Sequence, residues 1–88
     1  MTEDSRVQRL RFRSWHRGTR EMDLLMGSFA DTHLGSFTSE QLEHYEALLQ
    51  LNDPDLYRWV TGAQPLPLAH NNEVMRLFCA HHYAKKPV

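Results

Sequence analysis

Two guanidinium groups and two carboxylates fall within the seven residues Arg17-Gly18-Thr19-Arg20-Glu21-Met22-Asp23. Arginine carries a planar fork of N–H donors that matches carboxylates and carbonyls, and ionised Glu and Asp only accept. That set suits hydrogen bonding to another polypeptide. Glu21 and Asp23 could form a pair of acid–base carboxylates, but no visible nucleophile or apolar pocket goes with them. Gly18 can take φ > 0 without steric cost and admits close approach of a partner's backbone. Arg17 and Glu21 are four apart, as are Thr19 and Asp23, so on a helix each pair would share a face. The plain alternative is a solvated corner whose exposed charge pairs contribute little.

Other chemistry is thinly represented. Among the six histidines, His81 and His82 lie beside Cys79, but no second pair at ligand spacing is near, and His33 and His44 are isolated. No metal site is expected, and the histidines read as surface or edge residues. Cys79 follows Phe78 in an apolar helical pattern, where a buried, inert thiol is expected. As the one cysteine it cannot form an intramolecular disulfide, which fits a reducing compartment. There is no phosphate loop, dinucleotide glycine fingerprint or nucleophile elbow. The chain does not read as an enzyme.

The elements that must position the Arg17–Asp23 stretch are helical. Val7, Leu10, Ser14 and Trp15 recur at helical spacing and predict a helix from about Ser5 to His16; Phe12 lies off the apolar stripe, so either this helix is buried on two sides or its apolar face is broad. Met22, Leu25, Met26, Phe29, Ala30 and His33 predict a second, ending at Leu34 with Gly35 in the C′ position. Gly27 leaves a notch in it for a neighbouring helix. A third helix opens on Thr38 with Gln41 three residues later, a capping box, and Phe37 placed to staple onto Leu42. Its buried stripe is Leu42, Tyr45, Leu48 and Leu49. Asp53 as N-cap with Pro54 at N1 starts a fourth helix carrying Leu56, Trp59 and Val60 and stopping at Gly62. Trp59 is expected in the core. Pro65 and Pro67 impose an extended connection, and a fifth helix runs from about Asn71 to His82 with Val74, Leu77, Phe78 and His81 on one face. No period-two alternation appears. The fold class is therefore all-α: one domain over residues 1–88, a bundle of about five short helices, frayed over the first few residues and over residues 84–88.

Charge is unevenly spread although the net charge is −1. Six arginines and no acids lie between Ser5 and Arg20, and five acids with Arg58 alone lie between Thr38 and Arg58. Such a dipole can steer association with a complementary partner. The runner-up class is a small basic-helix nucleic-acid-binding module, with Phe12 and Trp15 as stacking groups among the arginines. A sequence pI near 6.6 and the lack of a recognition-helix pattern argue against it. No apolar run approaches the ~20 residues of a membrane span, so no membrane insertion is expected. The arginine-rich start resembles a transit peptide in composition, but Glu3 and Asp4 precede it and it runs directly into Arg17, so it reads as part of the fold.

Arg13-Ser14-Trp15-His16-Arg17-Gly18-Thr19-Arg20-Glu21-Met22-Asp23 resembles the central block of the succinate dehydrogenase FAD assembly factors, with their Arg-Gly-x-x-Glu signature. Phe29, Leu48-Leu49, Asp53-Pro54-Asp55-Leu56 with Trp59, Pro65 and Asn72-Glu73-Val74-Met75 are similar to the family's later landmarks in the same order. The resemblance implies a five-helix fold and a chaperone-like role. The partner would be the flavoprotein subunit of succinate dehydrogenase and, in some bacteria, that of fumarate reductase. FAD would be attached to the client, at a client histidine, so the chain needs no cofactor of its own. The resemblance places Arg17, Gly18 and Glu21 against the client, with Arg20 and Asp23 beside them. Arg17 would offer its fork to client groups, and Glu21 would accept from the client or orient Arg17. A monomer is implied, in the cytoplasm of a bacterium or the mitochondrial matrix of a eukaryote. His16 and Thr19 depart from the family, which favours another basic residue and a methionine at these positions.

Overall fold

The computed structural model describes residues 3–81. Among them are five α-helices and no strand: α1 (Glu3–Ser14), α2 (Arg20–His33), α3 (Ser39–Leu49), α4 (Asp53–Thr61) and α5 (Glu73–Ala80). Short 3-10 turns occupy Leu34–Ser36 and Leu68–His70. The frayed tail expected over residues 84–88, and His82 beside Cys79, lie outside the described residues.

Helix α2 supplies more of the buried core than any other helix among the described residues. Its Leu25, Met26, Phe29 and Ala30 are fully buried in one cluster with Leu10 of α1, Tyr45 of α3, Leu56 and Val60 of α4, and Val74 and Phe78 of α5. The Phe29 ring stacks on Tyr45 with centroids 5.6 Å apart and meets Phe78 edge-on at 5.5 Å, both favourable aromatic geometries. Tyr45 brings a hydroxyl into this apolar centre. Ser14 Oγ donates to the Leu10 carbonyl at 2.8 Å, which commits its one hydrogen, so the Tyr45 hydroxyl donates to Ser14 Oγ at 2.6 Å. Burial pushes the Tyr45 phenol up to about 12, opposed in part by the Ser14 bond and by the charges of Arg17 and Arg13.

Several boundaries differ from those expected, each for a local reason. Helix α1 ends at Ser14 rather than His16, because His16 N–H bonds back to Arg13 in a tightened turn and the chain then reverses at Gly18. Gly35 is not a left-handed C′ residue. Helix α2 closes by tightening into the 3-10 turn, and among described residues only Gly18 and Gly62 have positive φ. The α4 N-cap is Asn52, whose side chain accepts from Asp55 N–H, so Asp53 sits one residue further in and its carboxylate is free for another partner. Helix α5 starts at Glu73, because Asn72 caps it and the preceding residues are taken by the 3-10 turn. The capping box of Thr38 and Gln41 is present in full.

Side chains also depart from expectation. Phe12 is 64% exposed. Trp59 is half-buried at the edge of the core, with His70 against its ring at 5.3 Å. Cys79 is half-buried rather than enclosed. The notch at Gly27 admits the Trp15 indole rather than a whole helix: a Cβ at Gly27 would lie 2.1 Å from that ring.

Candidate functional site

The corner between α1 and α2 is built by hydrogen bonds that reach far along the chain. Thr19 caps α2 by accepting from Met22 N–H at 3.2 Å. One turn into the helix, Asp23 Oδ1 reaches back to accept from the main-chain N–H groups of Arg17 at 2.5 Å and Gly18 at 3.3 Å. These donors precede the helix, where its positive end also favours a carboxylate. The chain turns at Gly18 with φ +123°, a conformation that side-chain-bearing residues rarely adopt, and no atom lies within 4 Å of where a Cβ would stand.

Arg17 fastens this turn to the opposite side of the molecule. Its Nε and Nη2 donate to Asp53 Oδ1 at 3.0 and 2.7 Å, Nη1 donates to the Leu49 carbonyl at 2.7 Å, and Nη2 to the Leu51 carbonyl at 2.9 Å. The guanidinium thus satisfies carbonyls left open where α3 ends and pairs with a carboxylate where α4 begins. Both placements suit the helix dipoles. The side chains of Arg17 and Asp53 are only 12% and 23% exposed, so the pair is poorly screened and its bonds are charge-assisted. The fork matches a carboxylate and two carbonyls, the groups the sequence led us to expect as its partners, but all three belong to this chain.

Glu21 leans the same way. Its Oε2 accepts from the Tyr57 hydroxyl of α4 at 3.0 Å, and that bond, followed by the Glu21 charge, raises the Tyr57 phenol. Arg20 points elsewhere. It is exposed and its guanidinium has no hydrogen-bond or ion-pair partner among the described residues.

The five residues singled out in the sequence therefore divide between two faces. Gly18, Arg20 and Asp23 line an open hollow of about 580 Å³ with Trp15, His16, Thr19 and Leu24. Arg17 and Glu21 face α3 and α4. Arg17 and Glu21 do not share a helical face, because α2 begins only at Arg20. Asp53 and Tyr57 went unnoticed as members of this site. Both lie 36 residues from their partners, and Asp53 had a plausible local role as an N-cap that concealed the tertiary one.

No cluster of three or more His, Cys, Asp or Glu residues able to hold a metal ion occurs among the described residues. His33 packs on Phe29 and Phe37, and its burial lowers its basicity. Ser28 Oγ lies 2.8 Å from His81 Nε2, but the same hydroxyl also bonds the Leu25 carbonyl within its own helix. No described helix is long and apolar enough to cross a membrane.

Fold and corner together define a small all-helical protein with a pinned, solvent-facing polar turn. The chain belongs to the family described as the flavinator of succinate dehydrogenase, which its residues 8–82 match. It is 41% identical over 80 residues to succinate dehydrogenase assembly factor 2-A, mitochondrial, of Drosophila yakuba, an overlap covering 89% of this chain and 49% of that one. It is 43% identical over 63 residues to the FAD assembly factor SdhE of Acetobacter pasteurianus, covering 72% of this chain and 58% of the relative. The chain spans about half the length of the curated fly relatives it matches.

Proposed function

We propose that this chain binds the flavoprotein subunit of succinate dehydrogenase through the Gly18 corner and promotes covalent attachment of FAD to that subunit. One observation carries the reading. The turn at Gly18 is open to solvent, yet its backbone is held by Asp23 on one side and by Arg17, through Asp53 and two carbonyls, on the other. A partner meeting it finds a turn without a side chain and a free guanidinium at Arg20 and, on the adjoining α4 side, an exposed carboxylate oriented at Glu21, with little ordering left to do on this protein.

In this role the chain is not an enzyme. The bond forms on the client, between a client histidine and the client's FAD, and this chain supplies none of the reacting groups. Its contribution is to stabilise the client conformation in which those groups are close and aligned. FAD remains the client's cofactor, and this chain holds none of its own. Gly18, Arg20 and Glu21 are the contact residues of this reading. Arg17 and Asp23 act on the client through the turn they hold. The chain acts as a monomer, in whichever compartment succinate dehydrogenase is assembled, and the fumarate reductase flavoprotein is a second client where it is present.

The test is a knockout and rescue read by in-gel flavin fluorescence of the denatured flavoprotein subunit, which reports only attached FAD. The fluorescence should fall in the knockout, return with wild type and fail to return with Glu21→Ala. Fluorescence that never falls would remove this function. The nucleic-acid reading would then be examined by the salt dependence of oligonucleotide binding.

A further inference from the structure

The hollow beside Gly18 does not end at the corner. Trp15 and His16 are shared with a second open hollow of about 340 Å³, which continues along α1 past Phe12, Arg11 and Gln8. Phe12 stands on its rim as one of two large apolar side chains that are strongly exposed among the described residues. It is not loose. The His16 ring stacks on it with centroids 4.0 Å apart and planes at 24°. His16 Nδ1 lies 2.7 Å from the Phe12 carbonyl, and since a carbonyl only accepts, that nitrogen carries the hydrogen. Trp15 is seated at Gly27 and directs its Nε1 toward Asp31 Oδ1, 3.4 Å away; the same oxygen pairs with Arg11 Nε at 3.1 Å. An aromatic ledge with ordered side chains is thus continuous with the candidate corner. Exposed aromatic surface of this kind, fixed before any partner arrives, is characteristic of binding anchors.

Charge selects the occupant. Ser5 to Arg20 contains no acid, one oxygen of the Asp23 carboxylate in the hollow is engaged by two main-chain N–H groups, and Asp31 is shared by Arg11 and Trp15. Arg20 is left unpaired beside an apolar ledge. From this juxtaposition we infer that the Phe12–His16 ledge is a second docking point for the same client, taking a segment that places an apolar side chain against Phe12 and a carboxylate against Arg20. The inference rests on the client reading above and adds to it the chemistry of the segment recognised.

The experiment is calorimetric titration of purified, FAD-free flavoprotein subunit with wild type, Phe12→Ser, Phe12→Leu, Arg20→Gln and Gly18→Arg. Thermal melts should confirm that the exposed Phe12 and Arg20 substitutions leave folding unchanged. Phe12→Ser should raise Kd by about tenfold or more, as expected for loss of an aromatic anchor, and Phe12→Leu by about threefold or less. Arg20→Gln should weaken binding and flatten its salt dependence. Wild-type affinity in Phe12→Ser together with lost binding in Gly18→Arg would overturn the ledge and leave the corner standing. No binding by wild type would overturn both. Self-association of wild type, abolished by Phe12→Ser without effect on the client, would assign the ledge to a second copy of this chain and overturn the inference.

Discussion

Gly18 and Gly62 invite comparison. Both lie between helices in backbone conformations that favour glycine, at φ 123° and 83°, and a Cβ on either would meet nothing within 4 Å. Around Gly62 the supporting bonds are all local: Gly62 N–H to the Trp59 carbonyl, Gln64 N–H to Arg58, the Arg58 guanidinium to Gln64 and Asp55. Around Gly18 they span the molecule, through Arg17 to residues 49, 51 and 53. A left-handed helix cap needs only its own turn for support. The tertiary anchoring at Gly18 exceeds what reversing the chain requires, and it fixes the position of an exposed loop relative to the whole core.

The sharpest way to break the comparison is to place the same side chain at both glycines. Each substitution forces an L-residue to positive φ, at a cost of about 1–3 kcal/mol. Gly18→Arg should abolish covalent flavin on the client while circular dichroism shows the helices retained. Gly62→Arg should rescue flavinylation. Equal rescue by the two would mean that Gly18 is only a turn.

The anchors should differ nearly as strongly. Asp53→Ala leaves a mostly buried guanidinium without its carboxylate and should cost about 3 kcal/mol in urea denaturation. Asp55→Ala removes an exposed pair to Arg58 near Gly62 and should cost less than about 1 kcal/mol. Similar losses for both would show that Arg17 is adequately served by the Leu49 and Leu51 carbonyls alone.

Asp53 also shows how far this fold was legible in its sequence. Helical periodicity identified α2 and α3, because apolar residues at i, i+3 and i+4 must face the same core, but in α5 it caught Val74 and Phe78 while Met75, not Leu77 or His81, completes the buried stripe. The capping box of α3 was legible to the residue, since both of its partners lie within one turn. The anchoring of Gly18 was not, because nothing local distinguishes an Asp that caps its own helix from one that pairs with an arginine 36 residues earlier. Phe12 was visible as an exception to the α1 stripe, but spacing alone left open whether α1 buries a second side. Trp59 was assigned to the core with Leu56 and Val60 at i, i+3, i+4 spacing, yet it is half-buried at the core's edge, with His70 against its ring.

Alkaline pH probes the hydroxyl buried in the core. Tyr45 is raised to about 12 from 10.0. An unfolded chain would therefore release this proton first, so the stabilisation is complete below pH 10 and is lost as pH rises through 12. At pH 12 the loss amounts to about 2 kcal/mol. Denaturation midpoints should fall over this interval, and Tyr45→Phe should show a shallower decline from a lower starting stability, having lost its bond to Ser14. An unchanged slope in Tyr45→Phe would place the alkaline transition elsewhere.

The smallest effect concerns orientation alone. Tyr57 holds the Glu21 carboxylate from α4, whereas the hydrogen bonds around the Gly62 turn among the described residues are local. Tyr57→Phe keeps the ring and removes one hydroxyl, so the thermal midpoint should not move. What changes is the freedom of Glu21, which must then be ordered by the client itself. If Glu21 is a contact, affinity for the FAD-free flavoprotein subunit should weaken by about two- to fivefold, the value of one lost orienting hydrogen bond, while Glu21→Ala weakens it more. If Glu21→Ala weakens binding and Tyr57→Phe does not, the client orients Glu21 without help and the bond to α4 has no part in recognition. If Tyr57→Phe binds more tightly, the Tyr57–Glu21 bond is one that the client must break, and the corner is less prepared for its partner than its anchoring implies.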